Sequence, residues 1–383
     1  MGISLIYLDN AATTKVLPVA AEAAVRMMQE NFFNPSAQYE AGFGVRTELE
    51  KLRSSLAKNM GAQRAEQVIF TSGGTEGANL AIRSAMHVNR HEKGRHIVTT
   101  AIEHSAVLEP IKALEQAGCD VTYLKPDKWG EITAEQVQEA VTAETVLVSM
   151  MAVNNELGTV MPLGAVKAAI EAKGSPALFH TDAVQGYLKI PLNPAALGLD
   201  YLSVSGHKIG APKGVGALYC RQPEKLIAPQ MLGGGQEKGR RAGTENVPGI
   251  AALVAASKER HGRLAHDLAY MAALRDEIFR RVEETDGLEL LARGAAPHIA
   301  ALSLVGYPGE NTLRFLDREF DICVSTGSAC QKGKGSRIYA ALHRAPLVGM
   351  GALRVSLSPE NTVEDIERLF QGLAAAKERL AHR

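Results

Sequence analysis

The sequence is poor in the features that would build a small or specialised protein. Its 383 residues hold four cysteines, Cys119, Cys220, Cys323 and Cys330, with no CxxC pair among them. That excludes a disulfide framework or a cysteine-clustered zinc site and fits free thiols in a reducing compartment. Charge of one sign is missing too: forty-two Lys plus Arg balance forty-two Asp plus Glu, which argues against a nucleic-acid coat or a binder of acidic lipid. No apolar stretch approaches the roughly twenty residues a membrane-spanning helix needs. The first thirty residues lack a basic start followed by an apolar block, so neither membrane anchor nor signal peptide is expected, and the expected location is cytoplasmic. What the chain has in quantity is apolar side chains, 46% of the total, and thirty-six glycines. That is enough for a large buried core in a chain of two or three domains' length.

Short β-branched runs alternate with longer amphipathic stretches through the first half, the pattern of strands and crossover helices in a mainly parallel sheet. Residues 67–71, 96–100, 121–124, 146–150, 177–180, 201–204 and 215–220 are predicted strands. Thr133 and Gln136 form a capping box for a helix reaching Val141, and Pro162 and Gly174 bracket another. The glycine-rich segment that follows Gly233 is too punctuated for regular structure. Residues 253–282 then carry apolar side chains at helical spacing, predicted as one long helix into a smaller unit with strands at 300–305, 322–325 and 353–357. The fold class expected is α/β, a large domain with a mainly parallel mixed sheet flanked by helices plus a smaller α+β C-terminal domain.

Two near-motifs fail on spacing. His91 and His96 lie five apart where a zinc-binding helix needs four, and Gly327 to Lys334 runs G-x5-G-K with Gly335 where a magnesium-binding hydroxyl belongs. Neither a zinc protease nor an NTPase is indicated.

The informative clusters all follow predicted strands. Thr71-Ser72-Gly73-Gly74-Thr75-Glu76-Gly77 stands between a strand and a helix. Glycines there allow close backbone approach, while the helix start and the hydroxyls supply donors, the chemistry of a phosphate cradle. Ser203-Val204-Ser205-Gly206-His207-Lys208 closes another strand, where partial desolvation would lower the lysine pKa and make its amine a nucleophile toward a carbonyl carbon. An isolated lysine at a strand exit is ordinarily just a surface residue. Here it has company, because His180-Thr181-Asp182-Ala183-Val184-Gln185, His104 and Asn154-Asn155-Glu156-Leu157-Gly158 follow neighbouring strands. In a parallel sheet the carboxyl ends of strands share one crevice, where ligands bind, and an Asp there suits a protonated pyridine nitrogen.

In the C-terminal unit, Cys330 sits between Ser325-Thr326-Gly327-Ser328-Ala329 and Gln331-Lys332-Gly333-Lys334-Gly335-Ser336-Arg337. Small residues make such a loop mobile, and cations without acids favour the thiolate. Cys119, Cys220 and Cys323 adjoin apolar runs and are expected to be buried small hydrophobes.

Taken in order, the strings Tyr7 to Thr14, Phe70 to Asn79, Glu103-His104, Asn154 to Gly158, His180 to Gly186, Ser203 to Lys208, Arg240 to Pro248 and Ser325 to Cys330, then Arg354, resemble over nearly the whole chain the NifS/IscS-like cysteine desulfurases. These are pyridoxal-phosphate enzymes of the aspartate-aminotransferase-like fold. The resemblance implies pyridoxal 5'-phosphate as cofactor, a large cofactor-binding domain over 15–255, and a small domain made of 1–14 and 256–383 that carries the cysteine loop. It implies that Lys208 holds the cofactor covalently, Asp182 pairs with its ring nitrogen and Gln185 bonds its ring oxygen. Gly74, Thr75, Ser205 and His207 would bind the phosphate, with Thr244 added from a partner subunit. His104 would stack on the ring and move protons, while Asn155 and Arg354 would hold the substrate carboxylate.

The implied reaction converts L-cysteine to L-alanine. The Lys208 amine removes the α-proton, and Cys330 takes the sulfur as a persulfide for an acceptor such as an iron–sulfur scaffold or a tRNA-thiolation protein. A homodimer is implied, with no membrane partner and no direct nucleic-acid binding expected. Selenocysteine lyase, class-V aminotransferase and a non-catalytic sulfur-relay subunit are the competing readings. The family's Asn-Pro-x-Ser-x-His pattern becomes Asn34-Pro35-Ser36-Ala37-Gln38-Tyr39 here, with tyrosine in place of histidine. Residues 331–344 hold Lys332, Lys334, Arg337 and Arg344 and no acid, which predicts that this run faces an acidic acceptor surface or RNA.

Overall fold

The computed structural model describes residues 5–89, 94–327 and 336–382. Numbered along the chain, its strands are β1 (Ile6–Tyr7), β2 (Val68–Thr71), β3 (His96–Thr100), β4 (Asp120–Leu124), β5 (Thr145–Ser149), β6 (Leu178–Asp182), β7 (Tyr201–Ser205), β8 (Gly216–Cys220), β9 (Leu288–Leu290), β10 (Ile299–Leu304), β11 (Ile322–Cys323) and β12 (Ala352–Ser356).

Seven of them form one sheet in the order β2-β8-β7-β6-β5-β3-β4. The steps from β7 through β6, β5 and β3 to β4 are parallel, whereas β8 is antiparallel to both β7 and β2. Two reversals restore the direction, so β2 runs the same way as β7 and only β8 opposes the rest. The turns after β2, β3, β5, β6 and β7 therefore leave the sheet at one edge.

Strands covered on both faces read as continuous apolar runs. Ile97, Leu147, Leu178, Tyr201 and Leu218 enter one buried cluster with Ala81, Ala85, Val107 and Ile111 of the helices Gly74–Val88 and Ser105–Gln116. Their neighbours Val98, Val148, Phe179, Leu202 and Ala217 enter another on the opposite face. Each large side chain buried in this way contributes about 1.5–3 kcal/mol.

A separate cluster gathers Leu8, Leu274, Ile278, Leu302, Leu353, Val355, Leu369 and Leu373. It is built on the antiparallel sheet β12-β10-β9 and on β1 paired in parallel with β11. The bridges Asp9–Ser356 and Ser325–Arg354 tie these two sheets together.

The helix Ala134–Ala140 has the Thr133–Gln136 capping box, and Gly174 closes Leu163–Lys173 with a left-handed cap at φ +56°. The single long helix expected over 253–282 is instead two, Val247–Gly262 and Leu264–Glu284, broken at Arg263 with φ −110° and ψ 5°. Gly262, a weak helix former, precedes the break, and the Asp267 carboxylate draws Arg260 and Arg263 to it across the junction. Cys119 and Cys220 are buried as expected, but Cys323 is only half-buried, because its two-residue strand has β1 as its one partner and lies at the surface of the smaller unit. Among the described residues no helix is long and apolar enough to cross a membrane.

Candidate active site

At the shared strand edge lies a cavity of about 490 Å³ whose lining includes Gly74, Thr75, His104, Asn155, Asp182, Gln185, Ser205, His207, Lys208 and Arg354. The sheet delivers the first nine of these from the exits of β2, β3, β5, β6 and β7, and β12 of the smaller unit delivers Arg354. Thr244 is exposed and does not line this chain's cavity. Cys330, Lys332 and Lys334 lie outside the described residues.

The turn after β2 is held by close backbone packing. A Cβ on Gly216 would stand 2.7 Å from Gly73 Cα, and one on Gly74 would stand 2.5 Å from a Val184 methyl. The helix that starts at Gly74 has no side-chain cap, so its first N–H groups meet the cavity beside the Ser205 hydroxyl, a cradle for an anion. Glu76 steadies the turn by accepting from Ser72 N–H at 2.8 Å and pairing with Arg241 through two hydrogen bonds of 2.8 and 3.1 Å.

Lys208 donates to the carbonyls of Ala11 and Ala12 at 2.7 and 2.6 Å. Burial, followed by the Arg354 charge, pushes its ammonium down to about 8 against the opposing pull of Asp9 and Asp182. A fraction of neutral amine is thereby available near neutral pH. Asp182 is buried with one oxygen accepting from Val184 N–H at 2.9 Å. Burial raises its pKa, while that hydrogen bond, His104 and Lys208 oppose the rise. A buried carboxylate in this position calls for a cationic partner.

Beneath it His180 bridges Ser149 and Ser203 at 2.8 and 3.1 Å, and burial lowers it to about 3, so it is a neutral strut. His207, lowered to about 4 by burial and then by Lys208, is also neutral. His104 caps the helix Ser105–Gln116, its Nδ1 accepting from Ala106 N–H at 3.1 Å. That fixes Nε2 as the nitrogen that carries the proton.

Arg354 is 4% exposed; it reaches Asp9 at 2.6 Å and the Asn155 carbonyl at 2.8 Å, and its Nε has no partner among the described residues. The Asn155 side-chain oxygen is likewise buried and unpaired. Unsatisfied polar atoms beside a polar cavity mark a place for a ligand. The donor set suits pyridoxal phosphate: an anion cradle at one end, a desolvated lysine, a buried aspartate in need of a positive partner, and a guanidinium able to exchange its Asp9 contact for a carboxylate.

The sequence profile described as Aminotransferase class-V matches residues 6–369. The chain belongs to that family. Class-V aminotransferases are pyridoxal-phosphate enzymes. The chain is 38% identical to Cysteine desulfurase 2 of Trichormus variabilis, an alignment that covers 99% of this chain and 94% of the relative. Its fold is similar to a solved NifS-like protein (TM-score 0.91, 32% identity, 98% of this chain and 100% of the other). It is also similar to SspA in complex with cysteine (TM-score 0.80, 31% identity, 93% and 100%).

Several lining residues of this class-V protein stand in the motif strings, although the resemblance gives them no role at the site. Asp9, Glu103 and Arg337 enter the cavity wall. Arg337 donates to the Ala101 and Glu103 carbonyls, and Arg344 pairs with Glu289 at 2.9 Å and lies over the Trp129 ring. Two of the four cations in the basic run are thus occupied within the chain, so the run does not present all its charge to a partner. Glu103 was visible as the neighbour of His104, yet its burial was not. Tyr39 is exposed and meets Phe33 edge-on, outside the cavity lining.

Proposed function

We propose that the protein is a pyridoxal-phosphate-dependent cysteine desulfurase, with the roles implied by resemblance assigned to the residues of this cavity. The observation that carries the reading is the convergence of the desolvated Lys208, the buried Asp182 and the Gly74–Thr75 helix start on one cavity that Arg354 closes from the other side. When bound, the cofactor supplies an electron-poor ring that stabilises negative charge at the α-carbon of an amino acid.

The chain's own residues do the rest. Gly74, Thr75, Ser205 and His207 hold the phosphate, Thr244 joins them from a partner copy in a homodimer, and Asp182 keeps the ring nitrogen protonated. Gln185 would donate to the ring oxygen, and His104 would hold the ring's face, with its Nε2–H available to relay a proton. Arg354 and Asn155 fix the carboxylate of L-cysteine, with Arg354 exchanging its Asp9 contact for that anion. The Lys208 amine takes the α-proton and later returns a proton to the carbon skeleton. The thiolate of Cys330 takes the substrate sulfur, so L-cysteine and the Cys330 thiol become L-alanine and a Cys330 persulfide. Ser325, five residues ahead of Cys330, is bridged to Arg354, which sets the start of the cysteine segment beside the substrate's anchor.

We assign residues 15–255 to a large domain and 1–14 with 256–383 to a small one, a division supported by Leu8 packing with Leu302 and Leu353. The persulfide acceptor is a protein of iron–sulfur assembly or tRNA thiolation, and the site of action is the cytoplasm. The test is Cys330→Ala. It should keep the visible absorbance of the bound cofactor and lose sulfide release from cysteine under reductant; normal turnover by the variant overturns the persulfide step.

A further inference from the structure

The most unusual group near the cavity is Lys189, which does not line it. The chain turns sharply after β6, with Leu188 at φ +57°, and returns Lys189 beneath Gln185, four residues earlier. Lys189 Nζ donates to Gln185 Oε1 at 3.3 Å, and His298 Nε2 lies 3.3 Å from the same oxygen. On the other side of the carboxamide, Gln185 Nε2 donates to the Ala11 carbonyl at 2.8 Å, the carbonyl that also receives Lys208. Gln185 and Ala11 line the cavity; Lys189 and His298 lie behind it.

The Ala11 carbonyl can only accept, so the group facing it must be the NH2, and the atom facing Lys189 and His298 is then the amide oxygen. His298 is fully buried and held neutral, its Nδ1 has no partner, and its donor is therefore Nε2–H. Two donors converge on one oxygen. For packing alone this is a poor choice of side chain. Lys189 is 7% exposed, and burial, followed by the like charges of Lys208, Arg260 and Arg354, pushes its ammonium down to about 7. A methionine would fill similar volume without the cost of burying a charge.

We propose that Lys189 and His298 are positioning residues that lock the Gln185 carboxamide with its oxygen inward and its NH2 toward the cavity, where it donates to the ring oxygen of the cofactor. The inference rests on the pyridoxal-phosphate reading above. Without the lock only the Ala11 carbonyl holds the carboxamide, and any turn of its oxygen outward presents an acceptor to an oxygen that bears negative charge.

The measurement is the pH titration of the visible absorbance of holoenzyme without substrate, for wild type, Lys189→Met, Gln185→Ala and the double variant. A donor to the ring oxygen lowers the pKa of the Lys208-bound chromophore. Lys189→Met and Gln185→Ala are each expected to raise it by about one unit, a tenfold change in proton affinity. Because Lys189 acts through Gln185, the double variant should shift no further than Gln185→Ala alone. An unchanged titration in Lys189→Met, or shifts that add, overturns the inference. Should Lys189→Met fail to fold, His298→Leu reads the same lock, with a smaller rise supporting it and no rise overturning it. Wild type that forms no chromophore with pyridoxal phosphate overturns the functional reading itself, a separate outcome.

Discussion

The two walls of the cavity are built on different principles. One is the edge of the seven-stranded sheet, where each chemical group sits within a few residues of its own strand: Asp182 ends β6, Ser205 ends β7, and His207 and Lys208 follow it directly. The other wall is assembled from distant parts of the chain. Arg354 on β12 meets Asp9, 345 residues away, and the Asn155 turn, 199 away. On the sheet wall, strand geometry places the side chains. On the other, a buried ion pair and the packing of the smaller unit must hold them, so that wall should be the easier to disturb.

Arg354→Ala should produce the largest effect. Removing a charged, hydrogen-bonded anchor for a carboxylate is worth about 1.5–3 kcal/mol, or roughly ten- to hundredfold in kcat/KM for cysteine, carried mainly by KM. Asp9→Asn should cost less, because Arg354 keeps its carbonyl partner. Steady-state alanine formation measures both. If Asp9→Asn is as damaging as Arg354→Ala, the pair acts as one unit and the second wall is as rigid as the first.

The seam between the walls gives the next prediction. Gly158 has φ +71°, and a Cβ there would stand 2.9 Å from the Ile299 carbonyl of β10. Gly158→Ala combines backbone strain with a steric clash and should destabilise the protein by about 1–3 kcal/mol. Chemical denaturation with probes in each unit would show whether the C-terminal unit loosens first. Simultaneous loss would mean the two walls fold as one body.

The sheet wall gives a prediction of a different kind, one that appears only on changing pH. Glu103 is fully buried, accepting from Thr100 and from Met151 N–H through one oxygen while the other is unpaired. Burial, reinforced by Asp182, raises its carboxyl to about 8 against the lowering by those donors. The folded state therefore binds a proton that the unfolded chain gives up near the ordinary carboxylate pKa. Stability falls as pH rises from about 4.5 toward 8 and is flat for this group above that. Glu103→Gln abolishes this dependence, so the variant should gain on wild type between pH 5 and pH 8.5 in thermal unfolding of apoprotein. A constant difference across that range would show the carboxyl ionised throughout.

Most of the sheet wall was legible in the sequence, since a run such as Val146–Leu147–Val148 followed by Asn154 and Asn155 marks a buried strand and its polar exit. The helix break at Arg263 was not legible, because the apolar period continues through it and the interruption depends on contacts to Asp267. Nor was Lys189, which looks like an ordinary charged residue after a turn. Only the left-handed turn at Leu188 folds it back under Gln185.

What the sequence by itself determined is local: strands buried on both faces, capped helices, and the identity of the groups at each strand end. Those follow from periodicity and backbone chemistry within a few residues. The tertiary structure alone decided three things: that β2 regains the direction of β7 through β8, that Asp9 and Arg354 meet across 345 residues, and that Lys189 and His298 converge on one amide oxygen. Contacts between distant segments are set by how sheets and helices pack into one core, and no short stretch of sequence carries that information.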